Sequence, residues 1–240
     1  FLLARGMRED RMFPSRYCVD NAYFQARAAE LSPRRAEVRA SFGIRGDAPV
    51  VLFAGKLIDK KQPLRAIEAF ARVRAQHACS LLIAGDGPLR SACEALVSAL
   101  AVPGVRFAGF LNQGEMPRAY AAADVFVLPS KLHETWGLVV NEAMNFALPV
   151  IVSDKVGCAA DLLRPGENGL LVSHKSTTQL AEAMAALVRD AAMRRAYGQR
   201  SREIVAGYTI TAAADGIVAA CQAQEERRPV WKREASTARG

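Results

Sequence analysis

The chain has 240 residues, 51% of them hydrophobic and 23% charged, which is the composition of a globular protein with core enough for one large or two small domains. Its five cysteines (Cys18, Cys79, Cys93, Cys158 and Cys221) are scattered, odd in number and without a C-x-x-C pair, which argues against a zinc site or a disulfide scaffold and for reduced thiols in a cytoplasmic setting. The net charge of +8 sits on the flanks: residues 1–45 carry nine Arg against five acids, residues 222–240 five bases against three acids, and the stretch between is nearly balanced.

Such flanks can touch anionic lipid, so peripheral contact with the inner face of a membrane is one expectation; a solvated face is the plainer one. Nucleic acid is not expected as a partner, because no aromatic–basic interleaving appears. No apolar run is expected to approach the roughly 18 residues that span a bilayer, and Phe1-Leu2-Leu3-Ala4 is too short for a signal peptide. A chain opening on Phe reads as a piece of something longer.

In chain order, residues 1–30 read as a linker with a turn, carrying a Pro and a short candidate strand in 12–24. Ser32-Pro33 supplies an N-cap and first helical position for a short helix. Val50 to Gly55 is a continuous apolar run ended by Gly, as expected of a strand buried on both faces. Pro63 to Gln76 has helical spacing, with Leu64, Ile67, Phe70 and Ala71 on one side. Strands follow at 79–85, 105–109, 124–129, 149–152 and 170–172. Helices are expected from Pro88 to about Leu100, at 112–122, from Gly137 to about Phe146, around 158–163, and at 177–189, 191–205 and 208–224; residues 225–240 read as a polar tail. The domain reading is a linker over 1–30, a ligand-binding α/β domain over 31–206, a C-terminal helix over 207–224 and the tail. Alternating strands and helices predict an α/β fold, an open doubly wound parallel sheet of Rossmann-like type. Ligands in such sheets sit beyond the carboxyl ends of the strands. Gly55-Lys56, Gly85-Asp86-Gly87, Gly109-Phe110 and Ser130 to Gly137 all fall there and should share one rim.

Glu134 and Glu142 lie eight residues apart, about 12 Å of rise on an ideal helix. That is too far for a retaining glycosidase pair, which needs roughly 5–5.5 Å. It suits gripping two ends of one extended ligand with a phosphate between them, at the helix start that Gly137, Leu138 and Val139 would form. Acids near a helix N-terminus also simply complement its dipole, and Gly137 is equally explained by a tight turn. Lys56, Lys60 and Lys61 make a positive spot after the first strand, able to neutralise a diphosphate or merely solvated. Gly85-Asp86-Gly87-Pro88 is a poor dinucleotide fingerprint and reads as a tight turn with an N-capping Asp86. His77, His133 and His174 lack metal spacing. His77 and His174 are expected at the surface, and His133 beside the site.

Six blocks in order carry a resemblance. Phe53-Ala54-Gly55-Lys56-Leu57, Ile83-Ala84-Gly85-Asp86-Gly87-Pro88, Val105-Arg106-Phe107-Ala108-Gly109-Phe110, Glu134 through Met144, Ala147-Leu148-Pro149-Val150-Ile151-Val152-Ser153 and Gly166-Glu167-Asn168-Gly169-Leu170 look like the donor-binding, C-terminal domain of retaining glycosyltransferases of family 4 (glycosyl transferases group 1). The resemblance spans about residues 50–173 and implies one half of a GT-B fold. It implies that Glu142 binds the ribose of a nucleotide sugar and that Glu134 contacts the donor sugar near its reacting carbon. Gly137, Leu138 and Val139 would meet the distal phosphate through backbone, beside Gly55. Lys56 and Lys61 would stabilise the leaving diphosphate, and Phe110 would meet the base. The implied reaction is sugar transfer with retention to a glycan or lipid-linked acceptor in polysaccharide biosynthesis, without a bound metal or other cofactor. Lys56 stands where the family usually has Arg, and Gln62 where Gly often follows the lysine. The family's N-terminal acceptor domain is not in this chain, so the expectation is a donor-binding half. The alternatives are a non-catalytic nucleotide-sugar-binding module and a related GT-B epimerase or phosphorylase.

Overall fold

The computed structural model describes residues 2–132 and 134–226, the last two by backbone alone. Contacts divide the chain into two units, residues 20–206 and, separately, residues 1–19 with 207–240.

The larger unit runs through α1 (Asn21–Leu31), α2 (Arg35–Ser41), β1 (Val50–Ala54), α3 (Pro63–Arg74), β2 (Ser80–Ala84), α4 (Arg90–Ala99), β3 (Val105–Gly109), α5 (Met116–Ala122), β4 (Val125–Leu128), α6 (Leu138–Asn145), β5 (Val150–Ser153), α7 (Ala159–Leu162), β6 (Gly169–Val172), α8 (Thr177–Arg189) and α9 (Ala191–Val205). The six strands form one parallel sheet in the order β3-β2-β1-β4-β5-β6, the doubly wound arrangement expected from sequence. Strands β1, β4 and β5 are buried at every residue, which is why β1, β4 and Val150–Val152 of β5 read as unbroken apolar runs. Alternate side chains serve opposite faces. Val51, Phe53, Leu81, Ile83, Val125 and Val127 join one apolar cluster with Ile67 and Phe70 of α3 and Met184 and Leu187 of α8. Across the sheet, Tyr120 of α5 lies 6.2 Å from Phe126, 5.4 Å from Phe146 and 6.5 Å from Phe24 of α1, ring centre to ring centre.

Residues 21–30, expected as linker, are helical, within α1. Asp20 caps α1 by accepting from Tyr23 N at 3.0 Å, and Phe24 is fully buried. That burial stabilises by about 2–3 kcal/mol. It depends on a distant partner, which local sequence does not announce. Asp86 is also not the N-cap of the next helix. Its carboxylate accepts from Gly87 N at 2.7 Å, and α4 begins at Arg90.

Asp124 ties α2 to the sheet. It accepts from Val50 N at 2.7 Å, from Arg35 at 2.7 Å and from Arg39 at 2.6 Å. Arg39 is buried, its side chain 6% exposed, and burial lowers its pKa against the opposing pull of Asp124.

In the smaller unit, turns at Leu3–Arg5 and Glu9–Arg11 precede an extended segment that packs on α10 (Ile210–Glu226). Ser15 donates to Ala213 O at 3.0 Å, and the Arg16 guanidinium lies 5.0 Å over the Tyr208 ring. A Cβ on Gly216 would fall 2.0 Å from Pro14 O, so only glycine allows this approach.

One expectation is overturned. The helical stretch Ala191–Gln224 contains an 18-residue window of mean hydropathy 1.6, 11% buried, long and apolar enough by length and composition to cross a membrane. A turn at residues 206–209 separates it into α9, of 15 residues, and α10, of 17.

Candidate functional site

Strand order turns outward in both directions from β1 and β4, so the loops after these two strands open from the carboxyl edge at the switch point. The loop after β1 runs from Gly55 to Gln62, and the loop after β4 from Pro129 to Gly137. Lys131 N donates to Lys60 O at 2.8 Å and joins them.

Between these loops Lys61 and Glu134 form an ion pair, with side chains only 14% and 10% exposed. Ser130, itself fully buried, donates to the same Glu134 carboxylate oxygen at 3.1 Å. The Lys61 stem crosses Gly55, whose missing Cβ would lie 3.6 Å from it. The Glu134 backbone is held by Gly157 N, which donates to its carbonyl at 2.9 Å, and by a bridge to Val156.

Gly137 begins α6 in the left-handed region, at φ 98°, and a Cβ there would also sit 3.0 Å from the Leu128 side chain. Both constraints select glycine. The first amides of a helix have no acceptor within it, so those of Leu138 and Val139 face the loop end with the positive end of the dipole. One turn on, Glu142 accepts from the Tyr120 hydroxyl at 2.7 Å. Burial raises the Glu142 pKa above its usual value, with the tyrosine hydrogen bond opposing. Tyr120 is pushed well above the tyrosine range by burial, by the Glu142 charge and by the hydrogen bond.

The expected residues therefore fall into groups. Gly55, Lys61 and Glu134 come together. Gly137, Leu138 and Val139 form the helix start, and Glu142 lies on the same helix, turned toward Tyr120. Lys56 is exposed and has no ion pair among the described residues. Phe110 is 75% exposed beyond β3. His133 lies outside the described residues. His174 is not a free surface histidine. Its ring and backbone nitrogens both meet Asp154 Oδ1 at 2.8 Å, and its side chain is 14% exposed. At Asp154 burial raises the pKa, but the His174 hydrogen bonds and charge outweigh it and the net shift is downward. Gly85 and Gly87 have a packing reason. A Cβ on either would strike the carbonyl of Gly55 or Leu57, at 2.0 and 2.7 Å. Among the described residues no three His, Cys, Asp or Glu converge.

Tyr120 carried no signal in the sequence, because it sits in a segment that looks like ordinary core, and Ser130 was expected only as part of the rim, with no partner assigned. Gln62 did carry a signal, as a departure from Gly. It is buried in the left-handed region at φ 55°, and its amide donates to Pro129 O at 2.9 Å and His174 O at 3.0 Å. The side chain thus ties the start of α3, next to Lys61, to the loops after β4 and β6. A left-handed non-glycine residue costs about 1–2 kcal/mol, and each hydrogen bond contributes about 1 kcal/mol with a buried carbonyl orphaned on its loss. Gln62→Gly is therefore expected to destabilise by about 1 kcal/mol despite relieving the backbone. Urea unfolding that shows the variant equally or more stable would remove the bridging role.

A family model, glycosyl transferases group 1, matches residues 34–204. The chain is 31% identical over 217 residues to alpha-D-kanosaminyltransferase of Streptomyces kanamyceticus, covering 88% of this chain and 55% of that one. It is 33% identical over 181 residues to a GDP-mannose-dependent alpha-mannosyltransferase of Mycobacterium tuberculosis, covering 75% and 44%. The crystal structure of the C-terminal domain of LpcC, a glycosyl transferase group 1 family protein of Francisella tularensis, superposes with a TM-score of 0.66 at 25% identity, covering 73% of this chain and 93% of that domain. The chain spans about half the length of the curated relatives it matches. With the family model matching most of its length, over the segment that builds both the sheet and the switch-point loops, the chain belongs to the glycosyl transferases group 1 family.

Proposed function

We propose that this chain is the donor-binding half of a retaining glycosyltransferase of GT-B type, family 4, which moves a hexose-type sugar from a nucleotide-diphosphate sugar to a glycan or lipid-linked acceptor. The observation that carries the reading is the convergence, at one switch point, of the Lys61–Glu134 pair with the amide-bearing start of α6. The diphosphate would lie on the Leu138 and Val139 amides, with Gly55 leaving room for it. Lys61 and the exposed Lys56 would offset the charge that develops as the bond between the sugar and the distal phosphate breaks. Lysine and helix dipole supply that role in this reading, so no metal is assigned one. Glu134 would turn from Lys61 toward the donor sugar, and Phe110 would border the base. The acceptor wall would come from a second, N-terminal domain, consistent with relatives about twice as long. The free thiols support a cytoplasmic setting, and the basic flanks support contact with the inner face of the membrane.

Titration calorimetry with UDP, GDP and their sugars tests the reading. Binding of at least one nucleotide, lost on Glu142→Ala by about 1–3 kcal/mol, is expected if that carboxylate bonds the ribose. Silence with every nucleotide would remove the reading.

The raised Glu142 pKa adds a pH dependence. A ribose-binding carboxylate accepts best when ionised. Nucleotide affinity is therefore expected to fall as pH drops through a value above the usual 4.5. For stability the sign is the opposite. A carboxyl with a raised folded pKa favours folding while protonated, and that contribution is lost as pH rises from the unfolded value through the folded one. Glu142→Gln should flatten both profiles, and an unchanged affinity profile in the variant would assign the titration to another group.

A further inference from the structure

At the opposite ends of the strands, where the chain enters β4 and β5, there is a cavity of about 650 Å³. Four guanidinium groups line it, from Arg35, Arg194, Arg195 and Arg202, against two carboxylates, Asp47 and Asp124. Asp124 is already engaged by Arg35 and by Arg39 behind it. Arg194 donates to the carbonyls of Leu187 and Val188, both at 2.7 Å, and so closes the end of α8. The side chains of Arg195 and Arg202 have no ion pair or hydrogen bond among the described residues. They lie seven residues apart on α9, which puts them on one stripe of the helix about 10 Å apart along its axis.

Two unpaired guanidinium forks on one wall make an anion site, since each can take a phosphate or carboxylate through paired N–H donors. The excess of positive charge in the lining favours a ligand with more than one negative charge. The volume exceeds what a lone inorganic ion fills, and the half-buried Phe146 ring offers an apolar surface for the remainder of an organic molecule. We propose that this cavity binds an organic phosphate, held between Arg195 and Arg202, at a site separate from the switch-point rim. The phosphate could be that of a soluble metabolite or of a lipid headgroup, and the same two arginines would receive either.

Calorimetry of the full chain with ribose 5-phosphate and with inorganic pyrophosphate, beside sedimentation with phosphatidylcholine–phosphatidylglycerol vesicles, tests this. In the Arg195→Gln/Arg202→Gln double variant, one binding event is expected to weaken by about tenfold or more. Loss of phosphate-ester or pyrophosphate binding assigns a soluble ligand, and loss of vesicle sedimentation assigns a headgroup. Both side chains are exposed and Gln suits a helix, so folding should survive, as circular dichroism will show. Asp47→Asn removes a negative charge from the lining and is expected to tighten the same event severalfold, a gain that general damage cannot imitate. Identical titrations and sedimentation for the parent protein and the double variant, or an Asp47→Asn variant that binds no tighter, would overturn the proposal.

Discussion

Replacing Lys61 with alanine is expected to weaken nucleotide-diphosphate binding by about 10- to 100-fold and to destabilise the fold by about 3 kcal/mol. The first figure follows from losing a charge-assisted contact with the diphosphate, about 1.5–3 kcal/mol. The second follows from what is left behind. Glu134 is 10% exposed and would be left with only Ser130 donating to it, and orphaning one partner of a buried pair costs more than the pair itself contributes. The two effects separate experimentally. In Lys61→Met/Glu134→Gln both charges are gone, and urea unfolding should recover most of the lost stability while calorimetry still shows weak binding. A double variant as unstable as Lys61→Ala would show that the cost is packing and not the stranded carboxylate. In the free protein Glu134 holds the Lys61 ammonium group, so in the proposed function a bound donor and the intact ion pair would compete for Lys61.

Asp124→Ala is expected to cost about 3–5 kcal/mol, because it strands Arg39 in the interior and leaves Val50 N at the start of β1 without its side-chain acceptor. Asp124→Asn should cost less, since the amide oxygen can still accept. Equilibrium urea unfolding measures both. Equal costs for the two variants would show that the acceptor kept by Asn contributes nothing and that the carboxylate charge carries the effect. Neither change touches the switch-point loops, so nucleotide binding by the folded fraction should persist.

The parallel sheet was legible because burial on both faces leaves no freedom in β1, β4 or β5. All positions but Ser153, which ends β5 and hydrogen-bonds Ser130 O, are apolar, and the run shows whatever surrounds it. The parallel, doubly wound sheet also follows from the alternation of strands and helices, and with it the rim where ligands are expected, whereas the order β3-β2-β1-β4-β5-β6 came only from the structure. Glycines were legible as positions but not as reasons. Gly85 and Gly87 look like half of a phosphate loop, yet backbone carbonyls 2.0 and 2.7 Å from their missing Cβ atoms explain them. The helix at residues 21–31 was hidden, because its one deeply buried anchor, Phe24, finds its partner Tyr120 nearly a hundred residues later.

By itself the sequence determined the α/β class, the order of its elements and the loop-to-helix stretch in which Glu134, Gly137 and Glu142 stand. These depend on local periodicity and on residues that must sit at strand ends. Only the tertiary structure decided which groups these residues meet. Lys61 and Glu134 are 73 positions apart and lie on different strands' loops, so no spacing rule could pair them. Gln62 reaches two further loops, and Glu142 turns to a tyrosine on the preceding helix. Side-chain partners across a sheet edge are set by strand order and register, a property of the whole fold that no short window of sequence contains.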